Sequence, residues 1–296
     1  MGLMNILKVA EQGLTRPFGD ERTVQQAFPA GIPTELADPF LMCDYFNMAE
    51  TEGKAEEDEF PVDWHPHRGF AICSYLRSGT GRHGDSLGNR ETYETPGMQW
   101  MNTGSGVVHA EGGGNDKGVV VQGFQIWINV PSDRKMDDPK YGTVPTKDLP
   151  LVDVAEGVKA RVLAGPAWDV QGPFETVQAV QMIDFELQPG STTDCFDILD
   201  GLDTALLYVY EGELAKVNDS PDPIKEGHIV LLDASSLENR GLEFATSADK
   251  PGKALLFAGK KLKQPIAWHG PIVMNTQQQV QDTIRELRSG QFPPVR

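Results

Sequence analysis

Short apolar segments separated by glycine and proline fill the first half of the chain. One such segment, Phe70–Leu76, is followed by three turns and then by the segment Met98–Asn102. The chain reverses at Gly104–Gly106 into Val107–Glu111, and a longer apolar segment covers Val119–Val130. Short strands with turn residues at this density are typical of antiparallel barrels and sandwiches. We therefore predict an all-β fold for this half.

The same texture continues after residue 150. Further apolar segments cover Val158–Leu163, Val177–Leu187, Ala205–Tyr210, Gly227–Leu232 and Ala254–Gly259. The passages Tyr75–Gly79 and Val209–Gly212 resemble each other, since each is a strand that leads into a turn. A repeated passage of this kind indicates a duplicated β-barrel.

The pattern takes a helical period only near the C-terminus. Thr276 and Gln279 have the spacing of a helix capping box. Beyond them, Val280, Ile284 and Leu287 recur on one face of a helix. We predict a C-terminal α-helix that packs on a barrel through this apolar stripe.

The length of the chain predicts two domains. A chain of 296 residues is natural for two hydrophobic cores of about 150 residues each. A polar, proline-bounded segment, Pro131–Gly142, separates the two apolar series. We therefore expect an N-terminal barrel over residues 1–135, a linker over 136–150, and a C-terminal barrel with the terminal helix over 151–296. The acidic segment Glu50–Glu59 is predicted to be an exposed loop.

Composition narrows the classes of partner and compartment. The formal net charge of −17 disfavours nucleic-acid binding, which depends on Lys and Arg. Cys43, Cys73 and Cys195 are widely spaced and odd in number, so we expect a reducing compartment and no disulfide framework. No apolar run reaches the roughly 18 residues of a membrane span, and we see no secretory pattern at the N-terminus. We expect a cytoplasmic protein whose partner is a small molecule or another protein.

Two pairs of metal-binding residues bracket the densest group of predicted strands. The first pair is His65 and His67, and the second is His109 and Glu111. Residues two apart in a strand point to the same face. Two such strands side by side would aim three imidazoles and one carboxylate at one point, a ligand set that iron, nickel, copper and zinc accept. One pair alone is weak evidence, whereas two pairs within one barrel are far more specific.

This ligand set also bears on the chemistry. Three neutral imidazoles and a carboxylate leave coordination positions open on a five- or six-coordinate metal, whereas structural zinc sites are usually closed and rich in thiolates. The nearby Cys73 lies in a predicted strand and is interpreted as a core residue. An open divalent site in a barrel favours activation of O₂, binding of a chelating substrate or Lewis-acid chemistry. A sealed structural metal site is the competing interpretation.

Several longer motifs carry a family resemblance over nearly the whole chain. They are His65–Phe70, Asp85–Asn89, Pro96–Gly106, His109–Glu111, Phe124–Asn129 and Gly270–Thr276. Together they resemble the pirin family of the cupin superfamily. The resemblance implies a bicupin, with two antiparallel β-barrel (jelly-roll) domains and metal in the N-terminal barrel only. The stretch Ser191–Asp197 has no histidine pair, which is consistent with a metal-free second barrel.

The resemblance also implies a set of functions and ligands. The family's metal ligands fall on His65, His67, His109 and Glu111. The metal is expected to be Fe(II), with Ni, Cu, Zn, Mn and Co as alternatives. Some pirins act as quercetin 2,3-dioxygenases, and others are redox-responsive regulators that bind partner proteins. We therefore expect a dioxygenase that opens quercetin or a related flavonol with O₂, with Glu111 also acting as the catalytic base. The alternative is a non-catalytic, metal-sensing regulator.

Four further residues around the motifs carry predictions of their own. Most pirins have Glu where this chain has Ala71, so an acid near the pocket is expected to be lost. Gln125 resembles a substrate-binding position; the alternative is a polar strand residue paired with a neighbour. Arg68 is a candidate for orienting an anionic substrate or partner, with a plain exposed arginine as the alternative. His83 is predicted to lie at the surface in a turn.

Overall fold

The computed structural model describes residues 2–18, 22–49, 60–113 and 120–293. The acidic segment Glu50–Glu59, predicted to be an exposed loop, lies outside the described residues. Within them, the chain is built mainly of β-strands, with two short helical segments and one longer helix at the C-terminal end. The predicted all-β class is confirmed.

The strands before residue 146 are β1 (Gly2–Leu3), β2 (Ile6–Glu11), β3 (Arg16–Phe18), β4 (Arg22–Phe28), β5 (Phe40–Ala49), β6 (Val62–His67), β7 (Phe70–Ser78), β8 (Gly81–Asp85), β9 (Arg90–Tyr93), β10 (Gly97–Asn102), β11 (Val107–Gly113), β12 (Val120–Asn129) and β13 (Lys140–Val144). The short helix α1 (Thr34–Ala37) precedes β5, and a 3₁₀ turn covers Thr146–Asp148.

The strands after residue 150 are β14 (Leu151–Ala155), β15 (Val158–Ala167), β16 (Val170–Pro173), β17 (Val180–Leu187), β18 (Phe196–Asp197), β19 (Thr204–Leu214), β20 (Lys216–Val217), β21 (Ile224–Lys225), β22 (His228–Leu232), β23 (Asn239–Leu242), β24 (Phe244–Ala245), β25 (Gly252–Gly259), β26 (Ala267–His269) and β27 (Ile272–Met274). The helix α2 covers Gln277–Ser289.

The chain forms two compact units. Unit C comprises Met1–Leu14, Gln26–Leu41 and Lys147–Lys261, and unit N comprises Thr15–Gln25, Met42–Thr146 and Leu262–Arg296. This division differs from the expected boundaries in three respects. Residues 1–14 and 26–41, expected in the N-terminal barrel, belong to unit C. Part of the expected linker forms β13, which pairs with β10 along its whole length. The C-terminal helix, expected with the second barrel, belongs to unit N.

Unit C has an apolar interior. Its main sheet has the strand order β14-β15-β17-β25-β19-β22-β2, with β16 paired to β15 and β21 to β19. Alternate residues of these strands point inward, so that Ile183, Phe185 and Leu187 of β17 meet Leu207 of β19 and Leu256 of β25 in one buried cluster. Burial of aliphatic and aromatic side chains on this scale is the main stabilising contribution to such a barrel.

Unit N contains the motifs singled out in the sequence. A four-stranded sheet has the order β6-β11-β8-β9, and a second sheet has the order β13-β10-β7-β12-β5-β4-β3. The hairpin β26-β27 and α2 complete the unit. Of the helices in the described part of the chain, none has the length and hydropathy that a bilayer span requires.

The helix α2 begins and ends as its sequence predicts. The hydroxyl of Thr276 accepts a hydrogen bond from the Gln279 backbone, and the Gln279 side chain accepts one from the backbone of Thr276, which is a full capping box. Gly290 ends the helix in the left-handed conformation. The apolar stripe packs Val280 and Ile284 against the hairpin β26-β27.

Candidate metal centre

The register of β6 and β11 brings the two predicted ligand pairs together. The two strands are antiparallel, with His65 opposite His109 and His67 opposite Val107. The pairing shifts after His109, so that Glu111 lies opposite Val62. Because side chains alternate along each strand, the three histidines point to the same face of the sheet.

The three imidazoles converge. The Nε2 atoms of His65 and His109 lie 3.0 Å apart, and the nitrogens that His65, His67 and His109 offer all lie within 4.8 Å of one another. His67 and His109 are buried, and His65 is partly exposed. Nε2 of His67 is buried without a hydrogen-bond partner. Nitrogen lone pairs grouped in this way fit a transition-metal ion.

Contacts on the far side of two rings fix their orientation. Nδ1 of His65 lies 2.7 Å from the carbonyl oxygen of Asp63, and Nδ1 of His67 lies 3.3 Å from that of Pro271. A carbonyl oxygen only accepts, so both Nδ1 atoms carry the hydrogen. This tautomer leaves the Nε2 lone pairs directed at the cluster.

Burial keeps two of the imidazoles neutral. It lowers the pKa of His67 well below its usual 6.5, and the neighbouring His65 lowers it further, against the smaller opposing effect of the Pro271 carbonyl. Burial likewise lowers the pKa of His109, assisted by His67, His65 and His83. The neutral imidazole is the form that binds a metal ion.

Glu111 is held beside the histidine cluster by three polar side chains. Oε2 accepts hydrogen bonds from Ser74 Oγ at 2.9 Å and Gln99 Nε2 at 3.0 Å. Oε1 accepts one from Gln125 Nε2 at 2.5 Å and lies 4.0 Å from Nε2 of His109. Since a carboxylate oxygen accepts about two hydrogen bonds, Oε1 retains the freer lone pair, on the side of the cluster.

Gln125 therefore serves to orient Glu111. It is buried, and its side-chain oxygen lies 2.5 Å from Oγ of Ser74, so that this oxygen and Oε2 of Glu111 share the single hydroxyl hydrogen of Ser74. This contact is the pairing with a neighbour that the sequence left as an alternative. Sequence reasoning missed Ser74 and Gln99. The sequence signal that could have found them is a polar residue in the middle of an apolar strand. In the structure, Ser74 lies opposite both Gln99 and Gln125.

Arg68 anchors the C-terminal helix to the end of β6, the strand that carries His65 and His67. It is only 2% exposed, so the alternative of a plain exposed arginine is wrong. Its Nε donates to the Ser105 carbonyl, Nη1 to the Thr283 hydroxyl and Nη2 to the Glu286 carboxylate, at 2.8, 2.8 and 2.5 Å. The guanidinium also stacks over Phe292 at 4.8 Å. The role of Arg68 in binding a substrate stays a prediction.

Lys135 connects the turn that follows β6 to the C-terminal hairpin. Its ammonium donates to the carbonyls of Gly69 and Val273 and to the side-chain oxygen of Asn129, at 2.6, 3.1 and 2.6 Å. Gly69 is required here, because a Cβ at this position would lie 2.2 Å from the Val273 oxygen and φ is +88°. The turn after His67 is thus fixed from two sides.

Ala71 does not face the histidine cluster. The pairing of β7 with β10 and β12 is continuous from Ala71 to Ser74, so these two side chains point to opposite faces. Ser74 points towards Glu111. The expectation that Ala71 replaces an acid of the pocket is therefore wrong for this fold.

His83 is buried in β8, so its predicted surface position is wrong. Its ring stacks on Tyr141 at 4.2 Å, and Nε2 lies 3.0 Å from Oδ2 of Asp85. Burial alone would raise the pKa of Asp85, but the hydrogen bonds from His83 and Asn89 outweigh it and leave that pKa below its usual value.

Aromatic side chains surround His67. Trp127 lies edge-on to its ring at 5.4 Å, and Phe70 lies at 5.3 Å. Trp268, on the C-terminal hairpin, contacts Trp127 at 5.8 Å. Both tryptophans are partly exposed, and the indole nitrogen of Trp127 has no hydrogen-bond partner. The histidine cluster therefore has an aromatic wall, formed by Phe70, Trp127 and Trp268.

Comparison with known proteins identifies the family. The Pirin profile matches residues 21–128, and the profile of the Pirin C-terminal cupin domain matches residues 182–293. The chain is 32% identical over 289 residues to a Pseudomonas aeruginosa protein provisionally named a quercetin 2,3-dioxygenase, covering 95% of this chain and 96% of that protein.

Solved structures agree with this result. A crystal structure of quercetin 2,3-dioxygenase from Acinetobacter baumannii has a TM-score of 0.88 and 28% identity, and the match covers 99% of each chain. A bacterial pirin from Escherichia coli in complex with nickel(II) has a TM-score of 0.62 and 19% identity, covering 86% of this chain and 99% of that one; the latter likeness concerns the fold alone.

Two β-barrel units, one of them with a cluster of three histidines, define a bicupin. This chain belongs to the pirin family of the cupin superfamily.

Proposed function

We propose that the protein binds one divalent metal ion, Fe(II) in the cell, and uses it to open quercetin or a related flavonol with O₂. The observation that carries the proposal is the convergence of His65, His67 and His109 on one point, with Nε2 of His67 buried and unpartnered. The similarity to a quercetin 2,3-dioxygenase over the whole chain supports the substrate class.

Three histidines and one carboxylate would hold the metal. Glu111 is the proposed oxygen ligand, through Oε1, which carries a single hydrogen bond from Gln125. A divalent metal held by these residues would keep further coordination positions open, where it would bind a flavonol oxygen and activate O₂. Oε1 of Glu111 is also the proposed acceptor of the flavonol hydroxyl proton, since Oε2 is already occupied by Ser74 and Gln99. Because Gln125 uses one lone pair of Oε1, Glu111 would have to leave the metal in order to take up this proton.

The aromatic wall would orient a planar substrate. Trp127 and Trp268 offer flat, partly exposed faces beside His67, and stacking on aromatic rings favours a flat polyphenol. The wall also keeps water from one side of the cluster.

The test is oxygen-dependent cleavage by protein of known metal content. Fe(II)-loaded protein is mixed with quercetin without oxygen and then exposed to O₂; we expect loss of the flavonol spectrum with release of one carbon monoxide per substrate. Glu111→Gln preserves the shape of the side chain and should bind quercetin with little turnover. A fully metallated protein that consumes no flavonol would overturn the proposal and favour the metal-sensing regulator.

A further inference from the structure

A second polar pair lies on the same face of the sheet as the metal-binding histidines. In the register of β8 and β11, His83 lies opposite Glu111 and Asp85 lies opposite His109. Both members of the pair are fully enclosed, with no exposed surface on either side chain. The proposed function assigns them no part.

The hydrogen bonds of Asp85 determine the tautomer of His83. Oδ1 of Asp85 accepts from the backbone N–H groups of Leu87 and Asn89, at 2.9 and 3.0 Å. Oδ2 accepts from the Asn89 amide at 2.7 Å and lies 3.0 Å from Nε2 of His83. An ionised carboxylate only accepts, so Nε2 of His83 carries the hydrogen. Nδ1 of His83 is therefore an acceptor, and it is buried without a hydrogen-bond partner among the described residues.

His109 offers a hydrogen-bond donor that lacks an acceptor. Its Nε2 points into the histidine cluster, so as a metal ligand it must carry its hydrogen on Nδ1. That Nδ1 is also buried without a partner, whereas the corresponding atoms of His65 and His67 each have a carbonyl acceptor. One buried donor and one buried acceptor thus lie on neighbouring strands, with ring centroids 5.5 Å apart.

We propose that His83 and Asp85 are positioning residues for the ligand His109. Nδ1–H of His109 donates through one bridging water to Nδ1 of His83, and Nε2–H of His83 donates to Asp85. The inference rests on the proposed metal site. Such a chain holds the ligand ring in one tautomer and raises its basicity, and loss of a partner of this kind typically lowers metal affinity about 10- to 100-fold. Stacking on Tyr141 fixes the plane of the His83 ring.

Two substitutions separate the acceptor role of His83 from its contact with Asp85. In His83→Asn, the amide oxygen reaches the position of Nδ1, so the acceptor is retained and the contact with Asp85 is lost. In His83→Gln, the longer amide reaches the position of Nε2, so the Asp85 contact is retained and the acceptor is lost. His228→Asn, at the partly exposed histidine of β22 in unit C, is the matched control.

The readout is the affinity for Co(II), measured by chelator competition and by its visible absorption band. We expect His83→Gln to lower the affinity by about 10- to 100-fold, with much smaller losses in His83→Asn and none in His228→Asn. The opposite order would show that His83 only braces the Asp85 turn and would overturn the proposal. Equal affinity in all variants would overturn it as well.

A measurement on the unsubstituted protein covers the case in which a variant fails to fold. In ¹⁵N spectra of the Zn(II)-loaded protein, His83 is expected as the Nε2–H tautomer and His109 as the Nδ1–H tautomer. A hydrogen on Nδ1 of His83 would exclude the acceptor role. Failure of the unsubstituted protein to bind Co(II) would overturn the metal site itself, whereas failure to cleave quercetin would leave the role of His83 intact.

Discussion

Nδ1 of His67 lies 3.3 Å from the carbonyl oxygen of Pro271, although the two residues are 204 positions apart in the sequence. The backbone of Arg68 next to it also pairs with the C-terminal hairpin, through Val273 N–H and the Arg68 carbonyl at 3.0 Å. A metal-ligand candidate therefore takes its orientation from a distant segment. Substitutions can test the contacts that hold this C-terminal segment in place.

Glu286→Gln should destabilise unit N. The substitution removes the negative partner of Arg68, whose side chain is only 3% exposed. A hydrogen bond to a charged group contributes about 1.5–3 kcal/mol, and because Glu286 is itself partly exposed we expect a loss of about 1–2 kcal/mol in the free energy of unfolding. Denaturant titration at 25 °C measures it.

A neighbouring ion pair on the same helix provides the control. Arg285 and Asp282 form a pair in which both side chains are well exposed. Such pairs contribute little, so Arg285→Gln should change the free energy of unfolding by about 0.5 kcal/mol or less. Equal losses in the two variants would contradict the anchoring role of Arg68.

Lys135 should make stability depend on pH. Burial lowers the pKa of Lys135 from 10.5 to about 7, so between these values the unfolded chain binds one more proton than the folded protein. The free energy of unfolding contributed by this group then rises with pH across that window, by on the order of 1 kcal/mol per unit. Below pH 7 Lys135 is protonated in both the folded and the unfolded state, so its effect on stability no longer changes with pH.

The measurement compares the unsubstituted protein with Lys135→Met between pH 7 and 9. Cysteines and tyrosines with raised pKa values titrate in both proteins, so their effect cancels in the difference. We expect the free energy of unfolding of the unsubstituted protein, minus that of Lys135→Met, to increase as pH rises. Parallel curves would mean that the three oxygen acceptors around the ammonium offset its burial.

His109→Ala should abolish metal binding. The substitution removes one of the three converging nitrogens and leaves two imidazoles and the proposed Glu111, an incomplete ligand set that we expect to lose its metal during dialysis. Metal analysis after dialysis should give one equivalent for the unsubstituted protein and close to none for the variant. His228→Ala, in the other unit, should keep the full equivalent. Equal metal in all three proteins would remove the basis of the proposed function.

Ala71→Glu should leave metal affinity unchanged and lower stability. Ala71 is 1% exposed and points away from the face that carries Ser74. A carboxylate there would be both oversized and short of solvent, at a cost of at least about 2 kcal/mol. Thermal unfolding and Co(II) competition on the same samples test the two statements. A changed affinity at unchanged stability would place residue 71 at the pocket after all.

The sequence predicts much of the fold because its signals are local. The all-β class follows from strand-and-turn periodicity, and α2 follows from the Thr276–Gln279 capping box and its apolar stripe. The common face of His65 and His67 follows from their spacing of two residues, whereas their convergence with His109 also requires the pairing of β6 with β11. These features depend on strand alternation and on backbone hydrogen bonds that neighbouring residues can reveal.

Other features depend on long-range contacts, which a single sequence does not display. Arg68 looked available to a ligand, yet its partners lie 215 and 218 positions downstream. His83 follows the turn formers Gly79 and Gly81, but β8 pairs with β11 and buries it. The role of Ser74 and Gln99 becomes visible only in the folded barrel, where both side chains donate hydrogen bonds to Glu111.

The build of unit N also has a consequence for biosynthesis. Residues 262–293 belong to the same compact unit as the histidine strands, and Pro271 orients His67. During translation the histidines leave the ribosome long before Pro271, and the largest segment of unit C, Lys147–Lys261, is synthesised in between. The nascent chain therefore lacks the Pro271 carbonyl that orients His67 until the C-terminal hairpin has been synthesised, so the proposed metal site can take its final geometry only then.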